Sequence, residues 1–352
     1  MFKSQWFAAP SITSFAAGQP ATSALLNNRK TLAIGLEFAA TAVVAGGALT
    51  AIVNGGSLLG MIDEIGFLDS GIKRVQLDAI TAGQLTGALS PSARTRTLLT
   101  STANGTTLLR ETVILFFGMP YQLDPWETAY VEQDTRNQLQ AYVIPNGSWT
   151  GAAANAPALG TVGAGTLTIS ATSVTVTQYY SLDLTTKPML RVYTETRDVA
   201  VTVNSAGQII DLRTDRYLGG LVTKADSIQG GVRVADTTIL TAVALRSDPR
   251  FLVGENAIPV NAFNAFNDQW CGESFVGTPC TYTRFVECGR LSAIVDPRVD
   301  SNLRFLMTAL PSTVGGATSS RIRTALLGYE RVNGVTQDVV PFLDGAQAVA
   351  TS

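Results

Sequence analysis

Short apolar runs, some continuous and some alternating with the period of two of a half-buried β-strand, recur along this chain between turn-forming segments. The pattern is organised around Ser57 to Leu77, SLLGMIDEIGFLDSGIKRVQL. Leu58, Met61, Ile62, Ile65, Phe67 and Leu68 form an apolar run interrupted by Asp63 and Glu64. Asp69-Ser70-Gly71 supplies turn chemistry, because Asp bonds its own backbone and Gly takes positive φ without a steric cost. Ile72, Val75 and Leu77 make a second short run, with Lys73 and Arg74 expected to face water. The stretch predicts a β-hairpin. A helix-like link from Asp78 to Leu89 leads on to further strands.

Upstream, Met1 to Asn28 has no clear period and one charge, Lys3; it predicts an extended arm, with a disordered leader as the alternative. Lys30 to Val53 gives two strands about a Gly46-Gly47 turn. Beyond the link, Pro91 to Ser101 is a polar connector, Thr106 to Gly118 a strong strand, and Met119 to Trp126 a loop fixed by prolines. Asn137 to Ile144 alternates strictly, placing Leu139, Ala141 and Val143 on one face. Pro145 to Gly165, rich in Gly, Ala, Asn and Pro, predicts a long surface loop, and Thr166 to Tyr180 alternates again about a central bend. Thr185 to Pro188 reads as an inter-domain link.

The second half repeats the scheme. A strand pair falls at Leu190 to Val203, with strands at Gln208 to Leu212, Tyr217 to Lys224 and Thr237 to Leu245. A Pro-containing connector and a short helix at Asn261 to Trp270 follow. Closing strands lie at Tyr282 to Glu287, Leu291 to Val295, Leu303 to Leu310 and Arg321 to Tyr329. The economical reading is an all-β chain of two tandem eight-stranded antiparallel barrels with short helical links. The expected boundaries are an arm over 1–28, barrels over 29–185 and 186–331, and a tail over 332–352.

Composition narrows the chemistry. Hydrophobic residues are 46% and charged residues only 15%, so the surface is largely polar and uncharged, as suits β-structure in a large assembly. A net charge of −2 without any Lys/Arg run leaves little counterion release to drive binding along a phosphate backbone, so no direct nucleic-acid contact is expected. Histidine is absent, which removes the commonest general base, the commonest zinc ligand and every Ser/His or Cys/His nucleophile pair. GxGxxG, GxxxxGK[ST] and GxSxG are missing too, and neither enzymatic activity nor a cofactor is predicted. Cys271, Cys280 and Cys288, odd in number and without CxxC spacing, predict reduced thiols; a Cys271–Cys280 disulfide is the alternative. Phe38 to Val53, the longest mostly apolar run, is too short for a spanning helix, and no signal-peptide pattern is legible at Met1.

Four stretches in order resemble the double jelly-roll major capsid proteins of icosahedral phages with an internal membrane, the tectivirus and corticovirus coat proteins. They are GSLLGMIDEIGFLDSGIKRV, then TVILFFGMPYQLDPWETAY leading into NQLQAYVI, then RYLGGLVTKAD, and finally NLRFLMTAL with RIRTALLGYE. The resemblance implies that each barrel is a jelly roll and that the chain is a coat subunit. It implies homotrimers of pseudo-hexagonal outline tiling an icosahedral shell, with penton and minor capsid proteins as neighbours and an internal lipid membrane beneath. The place of the protein is then the virion, assembled in the host cytoplasm. Phe2, Lys3, Trp6 and Phe7 become a membrane or assembly contact of the arm, although the long amphipathic N-terminal helix of the tectivirus pattern is not legible here.

Two other readings bear on the residues. Asp63/Glu64 and Asp124/Glu127 are paired carboxylates that suit a hard cation, but they lack a third oxygen-rich segment, and solvated or ion-paired carboxylates are the simpler expectation. The alternative function is a β-sandwich adhesion or glycan-binding module such as a virion spike, with Trp126, Trp149 and Trp270 stacking on sugars.

Overall fold

The computed structural model describes residues 4–90, 94–117, 129–131, 138–150, 156–182, 190–203, 205–211, 217–247, 250–267, 274–275, 277–284 and 303–331. The first half supplies β1 (Ser4–Ile12), β2 (Ala21–Ala24), β3 (Lys30–Ala45), β4 (Leu49–Ile52), β5 (Ile62–Asp69), β6 (Ile72–Leu77) and α1 (Ala79–Leu89). It continues with β7 (Arg96–Thr97), β8 (Gly105–Phe116), β9 (Tyr130–Val131), β10 (Leu139–Pro145), β11 (Gly160–Val162) and β12 (Thr166–Ser181). The second half supplies β13 (Leu190–Ala200), β14 (Ser205–Asp211), β15 (Tyr217–Gln229), β16 (Val232–Ala235), β17 (Leu240–Ser247) and β18 (Arg250–Pro259). After α2 (Val260–Asn267) come β19 (Cys280–Arg284), β20 (Leu303–Ala309) and β21 (Thr318–Arg331).

Among the described residues, strands β1 to β12 pair only with one another, and so do β13 to β21. The first set makes one sheet ordered β1-β12-β3-β8-β7 and a second ordered β2-β10-β5-β6. The second set makes β13-β21-β15, with β16 and β19 both on β15, and β14-β20-β17-β18. Read by position, β1, β12, β3 and β8 correspond to β13, β21, β15 and β19; β2, β10, β5 and β6 correspond to β14, β20, β17 and β18. Each lobe is therefore eight equivalent antiparallel strands in two sheets, the jelly-roll arrangement, with its helix in the same connection.

This equivalence corrects the expected arm. Residues 4–12 and 21–24 are the first two strands of the first jelly roll, paired with β12 and β10. Sequence periodicity misses β1 because a register shift between Ala9 and Ile12 breaks the alternation and Pro10 interrupts it. Three further expectations change. The hairpin begins at Ile62, because Ser57 caps a short 3₁₀ turn, Leu58–Met61, by accepting the Leu59 N–H. Its turn is as expected, Ser70 and Gly71 both taking the positive φ of a two-residue hairpin loop. β4 turns away from β3 after Gly46-Gly47 to pair with β11. Leu190 to Val203 holds one strand, and β16 and β18 are additional. The predicted segments Met119–Trp126, Thr185–Pro188 and Leu291–Val295, with the tail 332–352, lie outside the described residues.

The described residues between Pro145 and Gly160 are not the surface loop expected, although 161–165 do reach the surface. Trp149 is fully buried, edge-on to Phe15 at 5.7 Å and to Phe38 at 6.0 Å, and Ala156, Ala158 and Leu159 are buried with it. Close packing requires a small residue at Gly160, where a Cβ would lie 3.1 Å from Leu49, and at Gly165, where it would lie 2.6 Å from the Gly47 carbonyl, while Gly147 stands in open space. The first core continues across to the second lobe, where Val192, Val222, Tyr282, Leu327 and Tyr329 join it, while a separate core fills the second jelly roll. Trp149→Ala is expected to lower unfolding stability by about 3–5 kcal/mol, read from urea midpoints; a loss under about 1 kcal/mol would place this segment off the core.

Candidate functional site: the seam between the lobes

Strand period two builds the seam. Val75 and Leu77 of β6 are buried in the first core, so the intervening Arg74 and Gln76, and then Asp78, face the second lobe. Arg74, expected to face water, donates from Nη1 to Glu330 Oε1 at 3.2 Å. Gln76 meets β13 through its backbone: its N–H donates to Thr194 Oγ1, and its carbonyl accepts from Thr194 and Thr196 hydroxyls at 2.9 and 3.2 Å. Among the described residues β6 ends its sheet, and these hydroxyls cap its outward edge.

Asp78 works in both directions. Its Oδ1 accepts the Thr81 N–H at 3.2 Å, capping α1, and its Oδ2 accepts from Lys224 Nζ at 2.5 Å. Lys224 is buried, with Asp226 Oδ2 as its second carboxylate at 3.4 Å. The register explains the rest. Lys224 stands opposite Arg323, and Asp226 opposite Arg321, on neighbouring strands β15 and β21; Asp198 of β13 stands opposite Arg323 on the other side. Arg321 grips Asp226 with Nε at 3.1 Å and Nη2 at 2.7 Å, and Arg233 adds Nη1 at 2.9 Å. Arg323 grips Asp198 with Nε at 2.8 Å and Nη2 at 2.9 Å.

Burial alone would lower the Lys224 ammonium, but the carboxylates of Asp78 and Asp226 overcome it and hold the group above the ordinary lysine value. Burial would raise Asp226, yet Lys224, Arg321 and Arg233 bring it below the usual aspartate value. Asp198 is lowered in the same way by Arg323 and Arg321. Every charge here has a partner of opposite sign, which is the condition for keeping charge inside a protein. Cys280, opposite Lys224 on β19, is a free buried thiol pushed up by burial to about 12.

A second polar contact joins Asn54 Oδ1 to the Ala235 N–H at 3.1 Å, and Arg191 of β13 lies 4.9 Å over the Tyr130 ring. Beside the seam opens a cleft of about 520 Å³, lined among others by Asp63, Asn146, Arg233 and Arg323.

The residues singled out from sequence lie elsewhere. Trp6 is 67% exposed on β1, its ring 4.5 Å from that of Tyr179, and Phe7 is half-buried against the first core. Phe2, Lys3, Asp124, Glu127, Trp126, Trp270, Cys271 and Cys288 lie outside the described residues. Glu64 is tied to Lys73, Gln76 and Tyr142, while Asp63 faces the cleft. Among the described residues no cluster of three or more His, Cys, Asp or Glu could hold a metal. Sequence reading missed the seam, although one signal was there: Lys224 and Asp226, like Arg321 and Arg323, are charges two apart on one face of a strand.

Neither a protein-family model nor a curated protein matches the sequence. Solved structures do. A chain in the atomic structure of Sulfolobus turreted icosahedral virus matches with a TM-score of 0.67 at 9% identity, over 98% of this chain and 97% of that one. The major capsid protein P2 of bacteriophage PM2 matches with a TM-score of 0.56 at 11% identity, over 94% of this chain and all of that one. The PBCV-1 virus capsid chain matches with a TM-score of 0.56 at 11% identity, over 93% of each. The structural neighbours are double jelly-roll major capsid proteins, and the fold of this chain is theirs.

Two outcomes follow from the seam. Lys224→Met leaves Asp78 and Asp226 buried without their shared cation and should cost about 3–5 kcal/mol in urea unfolding; a neutral result would mean that the pair contributes nothing net. Because Asp198 and Asp226 are lowered in the folded state, their stabilisation is present above the unfolded aspartate value. The thermal midpoint should therefore fall as pH drops below about 3.9. A midpoint flat from pH 5 to 2 would contradict that linkage.

Proposed function

We propose that this chain is the coat protein of an icosahedral virion. One observation carries the reading: the match to the capsid chains extends over nearly the whole of both, 94% of this chain and all of one, 98% of this chain and 97% of the other. Since the seam joins the lobes through a continuous apolar core and paired charges, the subunit behaves as one two-lobed block. Three such blocks about a threefold axis place six similar lobes in a ring, a near-hexagon that packs on a flat facet through heterologous contacts. The working unit is then a homotrimer, with penton and minor capsid proteins at the facet margins and an internal membrane below. It assembles in the host cytoplasm and resides in the virion.

The N-terminal strand supports an assembly role of its own. Between Ser4 and Asn28 there is no charged residue, and β1 is the last strand of its sheet among the described residues. Native edge strands are ordinarily protected by charge or by a covering element. The Trp6 side of β1, with Phe2, Lys3 and Phe7, is on this reading a contact with a neighbouring subunit or the underlying membrane. The adhesion reading loses Trp149, which is buried.

Light scattering on the purified protein should report about three times 37.1 kDa; a monomer throughout the micromolar range would remove the coat reading. Trp6→Ser should leave the thermal midpoint within about 0.5 kcal/mol equivalent, as exposed substitutions do, while reducing the yield of assembled particles. Unchanged assembly would discard the contact.

A further inference from the structure

The cleft beside the seam has walls of different character. The second-lobe wall presents four cations, Lys224, Arg233, Arg321 and Arg323, on the adjacent strands β15, β16 and β21. Their carboxylate partner Asp226 is fully buried, and Asp198 lies outside the lining. The first-lobe wall presents two carboxylates, Asp78 on Lys224 and Asp63 hydrogen-bonded to Asn146, with Ser148 beside them.

Two guanidiniums keep N–H groups to spare. Arg323 commits Nε and Nη2 to Asp198, while among the described residues its Nη1 has only Asp78, at 3.9 Å and beyond hydrogen-bond range. Arg233 gives Nη1 to Asp226 and to the Ser319 carbonyl, and among the described residues its Nη2 has only Ser319 Oγ at 3.5 Å. The Ser148 hydroxyl accepts from the Ala158 N–H and has no acceptor of its own among the described residues. Partly wetted guanidiniums with free N–H select carboxylate or phosphate. Asp63 and Asp78 in the same lining oppose a second negative charge, which favours a monoanion. At about 520 Å³ the space suits a side chain and its flanking backbone.

We infer that the cleft binds a carboxylate carried on a peptide, the Asp or Glu side chain of an extended partner segment. Its carboxylate sits on Arg233 and Arg323, and a backbone N–H donates to Asp63. The inference needs neither the trimer nor the lattice, so it is tested on the free protein and can fail while the coat reading stands.

The test titrates the full chain with N-acetyl-aspartate N-methylamide by saturation-transfer NMR. N-acetyl-asparagine N-methylamide and inorganic phosphate serve as the competing chemistries. The aspartate probe should saturate and bind about tenfold or more tighter than the asparagine one, the discrimination a charge-assisted bond gives. Arg233→Gln, on a half-exposed hairpin residue, should weaken it by a similar factor. Should that variant fail to fold, Arg233→Lys decides, since it keeps the charge and loses the fork, and weaker binding is again expected. Equal binding of the two amides, tighter binding of phosphate, indifference to the Arg233 variants, or no saturable signal would each overturn the inference.

Discussion

A charged lysine inside a protein is tolerable only where carboxylates meet it, and Lys224 meets two. That constraint organises the molecule. One carboxylate, Asp78, belongs to the other lobe and to the cap of α1, so placing the lysine fixes the helix, the strand before it and the angle between the jelly rolls together. The other, Asp226, is held by two arginines from neighbouring strands. Asp226 keeps two cation partners if any one is removed, whereas Asp78 has Lys224 as its one close cation among the described residues, so Lys224 is the member on which the contact between the lobes depends. Apolar burial supplies most of the cohesion of the seam, through the first core reaching Val222 and Leu327.

The same logic governs the sheet edges. β6 is an edge strand of the first lobe, and the Thr194 and Thr196 hydroxyls of the second lobe satisfy its outward backbone. The tandem arrangement thus covers an edge that a single jelly roll would leave to solvent or to another chain. β1, uncharged and at the end of its own sheet among the described residues, is the edge that the coat proposal assigns to contact with a neighbouring subunit or the membrane.

Much of this fold is legible in the residues. The alternation of Leu139, Ala141 and Val143, the apolar run of β8 and the Ser70-Gly71 turn each dictate their element locally, and two tandem barrels follow from their order. Legibility fails where tertiary contact overrides local pattern. β1 has a register shift and a proline, so only its partner β12 makes it a strand. The Pro145–Gly165 composition imitates a loop, yet Trp149 carries it into the core. The seam escaped because its pairs are 146 residues apart, as with Asp78 and Lys224, and no local rule joins them. The charges stood out on apolar strands, but their partners could be named only once the register of β13, β21 and β15 was known.

The central claim is that this two-lobed block tiles a shell as a ring of three. Cryo-electron microscopy of the purified protein tests it most directly. The account predicts threefold particles with six lobes around a near-hexagonal rim, joining edge to edge into flat sheets or shells as concentration rises. Isolated two-lobed particles at every concentration, with no threefold class, would contradict it.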